Sequence, residues 1–172
     1  PFVATYQDLL KADVMLNCDG GYDRENPRIA YAGRGIIDAT VKVTGPKADL
    51  HSGQFGGVVQ NPLHVAAKII ASFHDENGRI QLPGYYDEVG TVSDSERERI
   101  TAGWQADKMK TDAGVELSWG RNIARDAERA TVYPTVDVNG MWGGYQGPGT
   151  KTVIPSKAGF KVTMRLVSDQ DP

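Results

Sequence analysis

Across residues 34–45 apolar and polar side chains alternate, with Ile37, Ala39, Val41 and Val43 in phase, Ile36 at the start and a Gly-Pro pair closing the run. A period of two is the signature of a strand with one buried face, so the pattern predicts a β-strand here. The period changes at Asn61-Pro62. Leu63, Ala66, Ala67, Ile70 and Phe73 share one face of a helix of about three turns on ordinary helix lengths, capped by Asn61 and opened by Pro62. Asp75-Glu76-Asn77-Gly78 is turn chemistry that ends it. Two further strands are predicted over 132–138 and 160–167, separated by a loop holding Gly140, Gly143, Gly144, Gly147 and Gly149. Residues 12–18 form a short apolar run closed by Asp19-Gly20-Gly21, which reads as a buried strand with Asp19 at its mouth.

From residue 82 to 130 the pattern becomes polar and irregular, with helical stretches near 93–100 and 120–130, so an inserted helical subdomain is expected. Strands and helices mix without regular βαβ alternation. The fold class this predicts is α+β, an antiparallel sheet with helices packed on one face.

Composition narrows the function classes. The 172 residues carry a net charge of -3 and no cluster of Lys and Arg, so a nucleic-acid partner is not expected. Cys18 is the only cysteine, which leaves no internal disulfide and no cysteine-based zinc site and favours the cytoplasm. No apolar run reaches the length that crosses a bilayer, so no membrane partner is expected. The chain opens at Pro1 rather than Met, and Asp171-Pro172 reads as an N-cap and first helical position. Both ends read as cuts through a longer chain.

Four residues could carry chemistry. His51, in Asp49-Leu50-His51-Ser52-Gly53, follows the first strand on a loop from which an imidazole can donate to an oxyanion, although a structural turn residue would look the same. Arg165 lies between Met164 and Leu166 and must face solvent or spend its donors on a carboxylate. Thr152, judged locally, reads as an ordinary strand hydroxyl. Asp19 is a carboxylate of the kind that ligates zinc or manganese, but one carboxylate is not a metal site. His64 and His74 fall within or near the 61–73 helix, ten residues apart and hence on different faces, and the acidic residues around 87–98 read as solvated surface. Ser52 lacks a nucleophile elbow, and no Gly-Lys-Ser/Thr follows either glycine-rich stretch, so serine hydrolase and nucleotide-binding chemistry find no support.

Taken in order, Asn17-Cys18-Asp19, Arg34-Gly35-Ile36, Ala48-Asp49-Leu50-His51-Ser52-Gly53-Gln54-Phe55-Gly56-Gly57, Asn61-Pro62, Gly149-Thr150-Lys151-Thr152-Val153-Ile154-Pro155 and Arg165-Leu166-Val167 resemble the lid domain of carnosinase-like dipeptidases. These belong to the aminoacylase and carboxypeptidase superfamily of two-metal enzymes. The resemblance implies a ferredoxin-like lid and dimerisation domain over 34–172, carrying the 82–130 insertion, with 1–33 ending the catalytic-domain segment and linking to the lid. It implies a homodimer acting on short peptides, with two divalent metals, zinc or manganese, in the whole enzyme. By the match, Asp19 falls on a metal-ligating aspartate, and His51 on a histidine that crosses the dimer to stabilise the tetrahedral oxyanion. Thr152 and Arg165 fall on substrate-binding positions, the arginine gripping the free C-terminal carboxylate. The upstream His-x-Asp, the Glu-Glu pair and the downstream His of the family pattern cannot be placed on this sequence, so the chain alone is expected to be inactive and to hold no tightly bound metal. Two alternatives remain open: a free-standing, non-catalytic dimerisation module, and the lid of another amidohydrolase such as a deacylase or carboxypeptidase.

Overall fold

A computed structural model of the chain describes residues 2–17, 24, 27, 29–120 and 122–172. It divides into two units, Pro1–Ala32 and Gly33–Pro172. In the first, Phe2–Thr5 (α1) and Gln7–Leu10 (α2) are single helical turns, joined by a contact between the rings of Phe2 and Tyr6. The strand expected over 12–18 does not form across its described residues, where Val14, Met15 and Leu16 are 83%, 85% and 83% exposed. A strand needs a neighbour to take up its N–H and C=O groups, and no described strand pairs with this segment. Cys18 and Asp19 lie outside the described residues.

The second unit is built on a three-stranded antiparallel sheet of Gly35–Thr44 (β1), Thr135–Gly143 (β3) and Lys157–Leu166 (β5), in the order β1-β5-β3. The alternation read from the sequence is the burial pattern observed. Ile37, Ala39, Val41 and Val43 turn inward on β1, as Ala158, Phe160, Val162 and Leu166 do on β5. Both later strands differ from their sequence-predicted spans. β3 starts at Thr135, because Val132 still donates its N–H to Glu128 at the end of a helix, and it runs on through Gly140 to Gly143. Pairing with β5 carries it there, with a bulge between Val138 and Gly140 absorbing the extra residue. The same pairing extends β5 back to Lys157. Gly159 is needed where it stands: the Trp142 ring covers it, and a Cβ there would collide with that ring.

Pro62–Ala71 (α4) backs this sheet, with Asn61 accepting from the Leu63 N–H at 2.9 Å as its cap. Ala66, Phe73, Ile80, Val136, Ala158, Phe160 and Val162 form the core, and Phe73 meets Phe160 edge to face. Leu63 and Ile70 face this core as expected; Ala67 is instead exposed and Ile69 takes its place. A second antiparallel pair, Leu50–His51 (β2) and Val153–Ile154 (β4), lies beyond the ends of β1 and β5. The single turn Ser52–Phe55 (α3) follows β2.

The irregular stretch holds Asp94–Gly103 (α5), Ala106–Ala113 (α6) and Asp126–Thr131 (α7). Ser93 caps α5 by accepting from the Glu96 N–H. Helix α5 packs on α7, where Glu128, 3% exposed, lies 3.5 Å from Arg97 and 3.9 Å from Arg125. Asp171-Pro172 is not helical; the Asp171 N–H donates to Glu88.

Candidate functional site

The Leu50–His51 pair places His51 on a strand, not on a free loop, with Val153 as its register partner. Its imidazole is fixed at both nitrogens. Nδ1 accepts the Gly53 N–H at 3.0 Å, and Nε2 lies 3.2 Å from the Thr152 hydroxyl. A backbone N–H can only donate, so Nδ1 carries no proton in this arrangement and the neutral ring holds its proton on Nε2. That nitrogen therefore offers an N–H toward Thr152 and the exposed surface without first acquiring a charge. Gly53 makes this geometry, since a Cβ there would come within 2.8 Å of the ring.

The loop around the pair is fastened to the sheet. The Asp49 carboxylate accepts the Ser156 N–H at 2.8 Å, the Gly45 N–H donates to the Ser156 carbonyl, and the Ser52 N–H donates to the Thr152 carbonyl. Hydrogen bonds from the Ser156 backbone and hydroxyl hold the Asp49 carboxyl below its usual range, with a smaller contribution from Lys151. Asp49 is thus an anchoring residue that the sequence reading passed over; its adjacency to His51 was the available signal.

Arg165 stands elsewhere. It pairs in register with Ile36 on β1 and Thr135 on β3, and its side chain is exposed on the face opposite the core. Its charge acts on Arg34. Burial first, and the like charge of Arg165 second, lower the Arg34 pKa, with Asp137 opposing. Tyr85, which donates to the Thr135 carbonyl at 3.1 Å, is pushed up to about 12 by burial, Tyr86 and Asp137. It remains a protonated structural donor at neutral pH rather than an acid–base group.

The structure therefore brings His51 and Thr152 together and leaves Arg165 apart. Between Ser156 and Arg165 the strand rises about 30 Å at roughly 3.3 Å per residue. His64 lines a surface cleft with Ser52 and Asn61, and His74 meets Trp119 edge to face at 5.7 Å, so neither joins the His51 pair. Among the described residues no three His, Cys, Asp or Glu side chains gather closely enough to hold a metal, and Asp19 lies outside them. The described residues of this unit do not by themselves make a metal centre. No helix among them is long and apolar enough to cross a membrane.

Comparison with known proteins agrees with this architecture. The Cys-Gly metallodipeptidase dug1 of Schizosaccharomyces pombe is 33% identical over 149 residues, 86% of this chain and 31% of that protein. Among solved structures, the M20 family metallo-carboxypeptidase Sso-CP2 from Sulfolobus solfataricus superposes with a TM-score of 0.87 at 32% identity, over 99% of this chain and 39% of that one. Human carnosine dipeptidase 1 superposes at 0.74 and 29% identity, over 88% and 32%. The chain thus spans about a third of the length of the curated relatives it matches. The family described as peptidase dimerisation domain matches residues 31–172, and the chain belongs to that dimerisation domain family of the M20 peptidases.

Proposed function

We propose that this chain is the dimerisation domain of a metal-dependent peptidase that hydrolyses short peptides bearing a free C-terminal carboxylate, and that it completes active sites in a homodimer. The observation that carries the reading is the separation of its two polar ends. A dipeptide spans about 7 Å, so the His51–Thr152 pair and Arg165 of one copy, some 30 Å of strand apart, cannot grip the same small substrate. Even if residues 152–155 doubled straight back, the remaining gap would be about twice a dipeptide's length. Two copies related by a two-fold axis can present one end each to one site.

In that arrangement the Nε2–H of His51 crosses from the partner copy to donate to the oxyanion that develops as the scissile carbonyl becomes tetrahedral. Thr152 accepts the Nε2–H until the substrate arrives, then gives up that hydrogen bond to the oxyanion and offers its own hydroxyl to the substrate. Arg165 takes the terminal carboxylate in a bidentate grip, which fixes the distance from the chain end to the bond cut. The divalent ions of the whole enzyme, zinc or manganese, would be held outside the described residues, with Asp19 as a ligand. A cytoplasmic setting fits the single cysteine. The Sulfolobus carboxypeptidase favours a neighbouring reading, since a carboxypeptidase also recognises a free terminal carboxylate. Comparing rates on dipeptides and on longer peptides separates the two.

The direct test mixes two inactive variants of the full-length protein containing this chain. In a dimer of a His51→Ala copy with an Arg165→Met copy, the trans arrangement leaves one site wholly intact. Mixing is expected to restore activity to roughly a quarter of the wild-type rate for random pairing of two-fold dimers. A mixture no more active than its parents would sink the trans reading.

A further inference from the structure

We propose that Arg34 is a second carboxylate-binding residue, which joins Arg165 to form a two-guanidinium clamp at the open end of the sheet. The inference rests on the reading that Arg165 receives the substrate's terminal carboxylate.

The backbone register starts the argument. Gly35 pairs with Leu166 on the core side, and Ile36 pairs with Arg165 on the open side. Period-two alternation therefore places Arg34, two residues before Ile36, on the open face with Arg165. Its side chain then crosses the sheet. Arg34 Nη1 lies 3.4 Å from the carbonyl of Tyr133, just before β3, although Arg34 itself leads into β1 at the opposite edge. With strands about 4.8 Å apart, that reach of about 10 Å takes the guanidinium over the end of β5, where Arg165 stands. The like charge of Arg165 is felt at Arg34, which agrees with this path.

The charges around the two arginines are unfinished. Among the described residues neither Arg34 nor Arg165 forms an ion pair, and Arg34 has one long, neutral hydrogen bond for its several N–H donors. Asp137 lies on β3 opposite Thr163, accepts from the Thr135 hydroxyl at 2.9 Å and opposes the shift at Arg34, but makes no ion pair with it. Asp38, also opposite Thr163, is the remaining carboxylate on this face of β1. Holding two guanidinium groups side by side while one is half buried costs free energy through desolvation and repulsion. A carboxylate bound at Arg165 offsets that repulsion, and each of its oxygens has a further lone pair, so Arg34 can donate to one oxygen of the carboxylate that Arg165 grips. The clamp suits a single terminal carboxylate on a short chain, because Asp38 and Asp137 flank it and repel a second acid.

The experiment compares Arg34→Met, Arg34→Lys and Arg165→Met in the full-length protein, on a dipeptide and on its C-terminal amide. Arg34→Met is expected to raise KM for the free acid about tenfold or more, the loss of one charged hydrogen-bonding partner, with kcat within about twofold and the amide unaffected. Arg34→Lys should recover part of the loss, since a point charge replaces a fork. Mixed with His51→Ala copies, Arg34→Met should be rescued as Arg165→Met is; mixed with Arg165→Met copies, it should not. If Arg165→Met weakens the free acid and Arg34→Met does not, the clamp is wrong while the role of Arg165 stands. Equal losses on acid and amide for Arg34→Met, or a drop in melting temperature that tracks the loss, would assign Arg34 to the fold and overturn the clamp. If Arg165→Met itself has no effect on the acid, the reading beneath the clamp fails instead.

Discussion

The two ends of the sheet are built on opposite plans. At the His51 end nearly every group is tied down: β2 pairs with β4, Asp49 holds Ser156, and both ring nitrogens of His51 have partners. At the Arg165 end two cations share an exposed face with no ion pair among the described residues. The difference follows from what each end is proposed to do. A donor aimed at a developing charge works by being fixed beforehand, because any reorganisation during the reaction is added to the barrier. A grip on a charge the substrate brings with it is instead left electrostatically open until the substrate arrives. One rigid strand, β5, keeps the two at a constant distance, so the sheet acts as a spacer as well as a support.

If β5 is that spacer, damage to its core should disable both ends together. Phe160→Ala removes a fully buried ring from the middle of the strand and is expected to cost about 3–5 kcal/mol of stability. Chemical denaturation would read that loss, and a cost below 1 kcal/mol would break the picture of one continuous support. His51→Ala should instead separate the ends. The full-length protein is expected to lose about 10²–10³ in kcat, the scale of one oxyanion donor, while light scattering finds the dimer unchanged. Near wild-type turnover would remove His51 from the chemistry.

The smallest effect concerns the fastening of the His51 end. Asp49 has its folded-state pKa lowered, so its contribution to stability is present above the ordinary carboxylate pKa of about 4 and is lost as pH falls through the lowered value. Asp49→Asn cannot lose a charge and should show a shallower fall of melting temperature on the acid side. Identical acid limbs for the two proteins would show that the Asp49–Ser156 contact does not fasten this end.

Much of this was legible in local patterns. The alternation in β1, the Asn61-Pro62 opening of α4 and the Ser93 to Glu96 cap of α5 are decided by neighbours within a turn or two, and sequence shows those directly. Helix α6 was not expected, because Ala106–Ala113 is polar on most of its surface; Gly114, left-handed at φ 67° after Lys110, was the signal at its end. The glycines at 140 and 143 read as loop but lie in β3, because pairing with β5 outweighed their weak strand preference. The described part of the run, residues 12–17, shows the converse, a strand-like pattern with which no described strand pairs.

The site divides in the same way. Sequence by itself determined the fold class, the principal strands and helix, the exclusion of cysteine chemistry, and the identity of His51, Thr152 and Arg165 as candidates, since residue type and periodicity are local properties. Only the tertiary structure decided that Thr152 meets His51 across 101 positions, that the ring's proton sits on Nε2, that Arg34 crosses to the strand beside Arg165, and that the two polar ends stand a strand's length apart. Those are distances between residues far apart in the chain, and strand pairing and core packing set them, not the order of the amino acids within any one segment.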